Sequence, residues 1–177
     1  MIKSVDVMNK MAQTENFNIN VIPLIKRAWR KIYPAVYYDA RERGVSLPRV
    51  IPVKSIIEDG KSVPARYNRR TETIEVSTSH LRSFIIDLLR KEGVDAYFYA
   101  VDALAMILAH EVYHHFQNKE GLYEELKRLL HTEEFVPRYV QAELDADYYA
   151  IDLAKSSRIN VDYDEVKYHW EKLKEYK

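Results

Sequence analysis

Between residues 107 and 117 the chain reads ILAHEVYHHFQ, which sets His110, Glu111 and His114 in a His-Glu-x-x-His pattern with His115 directly behind it. Histidines four positions apart project from one face of an α-helix, a turn apart, and can share a single metal ion. Glu111 is turned by about 100° around such a helix, where it can reach a water on the metal without ligating the metal itself. The pattern is either a metal site with its own general base or a histidine-rich patch on an ordinary helix. Ala103 and Ile107 continue the histidine face towards the N-terminus, so the pair is expected to be buried. Buried imidazoles and carboxylates need partners, and a metal would supply them. His115 points away from such an ion and reads as a polar neighbour.

Cysteine is absent, which excludes disulfides, thiolate ligands and cysteine nucleophiles together, so any metal must be held by His and carboxylates. With six histidines in the chain, a chance pattern is common enough that a third ligand must decide. A catalytic zinc keeps three protein ligands and one open position. The same helix offers none: the glycine and histidine that metzincins carry next are replaced by Gln117 and Glu120, and Asn118 stands one turn after His114. Downstream, AELDADYYA places Glu143 and Asp147 four apart, on a helical face shared with Ala146 and Ala150. A solvated acidic face has no reason to alternate carboxylates with alanines, whereas this pattern lets one helix lie close against another. Asp145 falls off that face and reads as solvated.

His110-Glu111-x-x-His114 followed by Glu143-x-x-x-Asp147 resembles the gluzincin branch of the zincin metallopeptidases. The short chain, the strand TETIEVS ahead of two helices and the ELDAD helix are most similar to the compact minigluzincins. The resemblance covers roughly residues 50–155 and is specific in the two motifs. It implies an α+β, zincin-like fold with a small twisted sheet packed on helices. It further implies Zn2+ bound by His110, His114 and Glu143, with Asp147 hydrogen-bonded to His110 to fix its tautomer. Glu111 would be the general base, and a peptide or protein the substrate. In such enzymes the substrate lies antiparallel to an edge strand. Residues 71–77 are the candidate, with Ile74, Glu75 and Val76 as contacts and Ile74 and Val76 facing the core; an internal strand is the other reading. A Tyr or His often stabilises the oxyanion, and His131, Tyr139 and Tyr148 are available. Acidic residues in segments 1–20 and 162–177 could occupy the open metal position and hold the enzyme latent. The alternatives are a zinc-binding scaffold without peptidase activity, against which the intact Glu111 argues, and a metal-free interaction module whose histidines pair with Glu143 and Asp147. Nitrogen and oxygen donors accept cobalt or nickel as well as zinc.

The elements that must position these residues follow from period and punctuation. Asn20 can cap a helix over residues 21–43, with Pro23 tolerable in its first turn, Pro34 a point where it kinks or splits, and Gly44 its stop. Strands are expected over 50–58, 62–67 and 71–77, turning at Asp59-Gly60 and Asn68-Arg69-Arg70; Pro52 and Pro64 place the first two at edges. Arg66, Arg69 and Arg70 read as a solvated turn. Helices are expected over 80–92, capped around Ser77 to Ser79 and closed by Gly93, then 95–118 with Gly121 as a left-handed cap, 122–130, 137–155 and 162–176. His80, His131 and His169 read as ordinary polar histidines. One domain accounts for 177 residues of which 47% are hydrophobic and 31% charged. Basic and acidic residues number 27 each, so no excess charge gathers nucleic acid or anionic lipid. The most apolar stretch, residues 96–109, carries Asp102 and is too short to span a bilayer. No signal-peptide pattern opens the chain, and a cytoplasmic location is expected.

Overall fold

In the computed structural model, residues 19–92 and 96–159 are described. They form an α+β arrangement in which a small mixed sheet packs against five helices. Helix α1 spans Ile22–Glu42; Val21, without a side-chain cap bond, holds the N-cap position expected of Asn20, whose side chain accepts the Ile22 N–H at 3.1 Å from one residue further out. Pro34 stands inside α1 without splitting it. The proline removes one N–H, but Tyr33 and Pro34 face solvent, where water can satisfy the carbonyl left over. The chain then passes through β1 (Arg49–Val53), a ribbon of β2 (Ile57–Glu58) and β3 (Lys61–Ser62), β4 (Ala65–Asn68) and β5 (Thr73–Ser77).

The sheet order is β1-β5-β4. Arg49 to Val53 run parallel to Thr73 to Ser77, and Ala65 to Asn68 run antiparallel to Val76 to Thr73. Both proline-bearing regions, Pro52 in β1 and Pro64 just before β4, lie on outer strands as expected. The expectation of an edge over residues 71–77 is overturned: β5 is the middle strand, paired on both sides. Ile74 and Val76 are fully buried, as core-facing residues should be, while Glu75 is held on the other face by Arg66 Nε at 2.9 Å and Asn68 Nδ2 at 2.8 Å. None of the three offers free backbone to a peptide.

Ser77 ends β5 and starts α2 (Thr78–Glu92), its hydroxyl accepting the His80 N–H at 3.2 Å. The expected stop, Gly93, lies outside the described residues. Helix α3 (Ala96–Lys119) is apolar around most of its circumference because it is enclosed on most sides. It packs most extensively on α5 (Phe135–Ser156), then on α1 and α2, and also meets β4 and α4 (Leu122–Leu129). Gly121, at φ +89°, makes the left-handed turn between α3 and α4 that a side chain would resist. The expected C-terminal helix with His169, and the two tail segments considered for latency, lie outside the described residues apart from Ile19 and Asn20. Among the described residues no helix is long and apolar enough to cross a membrane.

Phe116 marks the junction of the main core. It is fully buried on α3, edge-on to Tyr149 of α5, with the Arg43 guanidinium 4.9 Å from its ring. Phe116→Ala should lower stability by about 3–5 kcal/mol, read from the shift of the urea unfolding midpoint at unchanged slope.

Candidate metal centre

His110 and His114 lie one turn apart on α3 because the helix runs unbroken through both, and Glu143 reaches them from α5. The Nε2 atoms of the two imidazoles are 2.9 Å apart, and Glu143 Oε2 lies 3.6 Å from that of His110 and 3.5 Å from that of His114. All three side chains offer one ligand atom within 4.8 Å of the others. The ring tautomers follow from what lies behind them. Asp147 Oδ1 sits 2.8 Å from His110 Nδ1 and, as a carboxylate, accepts its proton. His114 Nδ1 is 2.7 Å from Gln117 Oε1, while Gln117 Nε2 donates to the Ala142 carbonyl at 2.8 Å. A carbonyl can only accept, so the Gln117 amide orientation is fixed and His114 Nδ1 must be the donor. In the neutral rings both Nε2 atoms then turn lone pairs to one point, where a carboxylate oxygen joins them.

With Nε2 unprotonated, the three converging acceptors can hold a cation at their centre. Tetrahedral bonds of 2.0–2.1 Å would separate ligand atoms by about 3.3 Å, and the three observed separations bracket that value. The residues present thus fit a metal ion held by two imidazoles and a carboxylate. Without an ion the same cluster holds protons instead, the imidazoles donating to the carboxylates, and a metal would have to displace them. Burial opposes a charge on His110, yet its bonds to Asp147 and Glu143 outweigh that cost and push the ring up to about 10. Burial would likewise raise Glu143, but the hydrogen bonds from His110 and His114 hold it well below the usual carboxylate range.

Glu111 differs from Glu143 in both environment and direction of shift. Desolvation pushes its carboxyl up, against the opposing pull of both imidazoles, and Oε2 accepts the Tyr67 backbone N–H at 2.6 Å. Tyr67 lies in β4, whose other edge pairs with β5, so this N–H belongs to the open side of the sheet. The strand bordering the site is therefore β4. A cleft of about 280 Å³ opens over the metal ligands, walled by Tyr67 of β4, Tyr123 of α4 and Tyr139 of α5. A second, more apolar hollow of about 500 Å³ adjoins it past His110 and Glu111, lined by Val63, Ala103, Met106, Ile107 and Ala150.

Of the three expected oxyanion candidates, Tyr139 lines the cleft with its hydroxyl turned to Glu143, whereas His131 is exposed in the turn after α4 and Tyr148 is not among the cleft-lining residues. Tyr123 was not singled out by sequence reasoning; its position in an amphipathic helix gave no sign that α4 folds back over the site. Desolvation and the neighbouring carboxylates push both phenols up to about 12, so both remain donors at neutral pH. Of the three arginines expected to be solvated, Arg69 and Arg70 are exposed, Arg69 with its guanidinium 4.9 Å from the Tyr123 ring centre, whereas Arg66 is half-buried and pairs with Glu75. Asp145, expected to be solvated, accepts from Gln141 of its own helix. His80 meets the Ser62 hydroxyl, an ordinary polar contact. His115 is fully buried but turned away from the ligands, donating through Nε2 to the Ser46 carbonyl at 2.7 Å and accepting the Tyr67 hydroxyl on Nδ1 at 3.2 Å. No known protein family, curated protein or solved structure matches the chain.

Replacing Asp147 leaves the His110 Nδ1–H without its acceptor. Asp147→Ala should weaken binding of a divalent metal by about 10–100-fold, measured by competition with a chromophoric chelator, and Asp147→Asn, which keeps an acceptor oxygen, should lose less.

Proposed function

We propose that this protein is a zinc-dependent metallopeptidase of the gluzincin type, cutting peptide bonds within an extended substrate laid along β4. The observation that carries the reading is the pairing of a three-residue candidate metal group with a half-buried carboxyl, Glu111, that stands beside it on the helix of the two histidines, is raised by desolvation and is not itself one of the group. A purely structural metal site has no use for such a group.

Zinc, when bound, would supply Lewis acidity, polarising the scissile carbonyl and making water nucleophilic near neutral pH. Glu111 takes the proton as the water oxygen bonds to the carbonyl carbon, and returns it to the nitrogen as the C–N bond breaks, giving a carboxylic acid and an amine without a covalent enzyme intermediate. The phenols of Tyr123 and Tyr139 stand over the same cleft and can donate to the oxygen on which negative charge develops. The open edge of β4 supplies backbone groups for a peptide running alongside it. The adjoining apolar hollow suits a hydrophobic side chain next to the cut.

The deciding comparison is Glu111→Gln against the parent, assayed with a quenched fluorescent peptide library after zinc loading. The variant should keep its zinc and lose about 10²–10⁴-fold in cleavage rate. Full cleavage by the variant, or none by the zinc-loaded parent, would remove the peptidase reading and leave a metal-binding protein. Filling the apolar hollow with Ala103→Phe should shift preference at the adjacent position from large aliphatic residues to small ones, read by sequencing the cleavage products.

A further inference from the structure

We propose that Gln117 is a positioning residue that locks the two helices of the metal centre into register, setting the His114 ring and the Glu143 carboxylate through one side-chain amide. The proposal rests on the reading of His110, His114 and Glu143 as metal ligands. Gln117 is nearly completely buried, with 5% of its surface exposed, and both ends of its amide are engaged. Oε1 accepts the His114 Nδ1–H at 2.7 Å, and Nε2 donates to the Ala142 carbonyl at 2.8 Å. Ala142 immediately precedes Glu143 in α5.

An interior helical carbonyl already accepts from the N–H four residues on, so the bond from Gln117 is an additional one, made across the interface. It fixes the height of α5 against α3 at the turn that presents Glu143. The opposite end of the same planar amide fixes which His114 nitrogen carries the proton and the plane in which its ring lies. The amide is rigid, so sliding α5 along α3 or rotating the His114 ring breaks one bond or the other. His110 has its own support in Asp147, which comes from α5, whereas His114 is supported by a residue of its own helix that reaches across. The carboxylate serves one ligand alone; Gln117 serves two at once.

The consequence is energetic coupling between Gln117 and Glu143, although no hydrogen bond joins their side chains. Gln117→Leu and Gln117→Met keep the volume and remove both bonds, and the second, more adaptable side chain covers the case in which the first does not fold. Zn2+ affinity is measured by chelator competition for the full chain, for each variant, for Glu143→Ala, and for each variant combined with Glu143→Ala. Co2+ loading reports ligand geometry through the intensity of its visible absorption. Either Gln117 variant should lose about 10–100-fold in affinity in the parent background and clearly less in the Glu143→Ala background, with a Co2+ spectrum of altered intensity. The same loss in both backgrounds would show that Gln117 acts through His114 alone, and no loss would show that it acts on neither; each overturns the proposal. If His114→Ala and Glu143→Ala bind Zn2+ as the parent does, the metal centre itself is removed and the proposal with it, a result separate from unchanged binding in the Gln117 variants alone.

Discussion

Two buried N–H donors, on His110 Nδ1 and His114 Nδ1, must each find an acceptor, and the packing of α3 against α5 provides both. One comes from α5 directly, as Asp147, and one from α3 itself, as Gln117 reaching to the α5 backbone. A neutral imidazole whose Nδ1 donates presents a lone pair at Nε2, so satisfying these two bonds aims both rings at one point. The same packing brings Glu143 to that point. Small residues make the approach feasible: Ala105 and Ala109 on α3 and Ala142, Ala146, Ala150 and Ala154 on α5 are all buried. The polar centre and the apolar packing around it are thus one construction, since neither set of bonds survives a large change in the distance between these helices.

Glu111 and Glu143 stand in the same cleft and are shifted in opposite directions. Burial raises both, and the difference lies in what each touches. Glu143 hydrogen-bonds two imidazoles, which hold it ionised as a ligand must be. Glu111 has a single backbone N–H and feels the imidazoles only across space, so desolvation prevails. Two carboxyls driven apart in acidity are the arrangement by which one fold keeps a permanent anion beside a group that exchanges protons.

The candidate ligand group was legible because its rule is local. Spacing of four on a helix predicts a shared face whatever the tertiary structure, and alanines at 146 and 150 told which face of the second helix was inward. The Ser77 cap and the Gly121 turn were legible for the same reason, since capping and left-handed turns are properties of a few consecutive residues. Strand order is a long-range property, and alternation in TETIEVS is equally compatible with an edge and a centre; the parallel pairing of β1 could not be read from either segment. Gln117 was considered only as the place where a metzincin would carry glycine. Its signal was present, an amide one turn after a candidate ligand at the i+3 position, but its second partner is a backbone carbonyl twenty-five residues away that no pattern announces. At Pro34 the helix is not split, the cost of the proline falling on a solvated face.

Helix α4 is anchored unlike the rest of the site. Leu122 and Leu126 bury themselves with Ala142 in a small cluster separate from the main core, backed by the bidentate bond between Arg138 and Glu125. The floor of the cleft, on α3 and α5, shares the cooperativity of the whole fold, whereas the wall bearing Tyr123 is secured by a few contacts of its own. The free energy needed to lift that wall is a fraction of the free energy of unfolding. The cleft therefore joins a base built into the main core to a side held by a separate, smaller cluster.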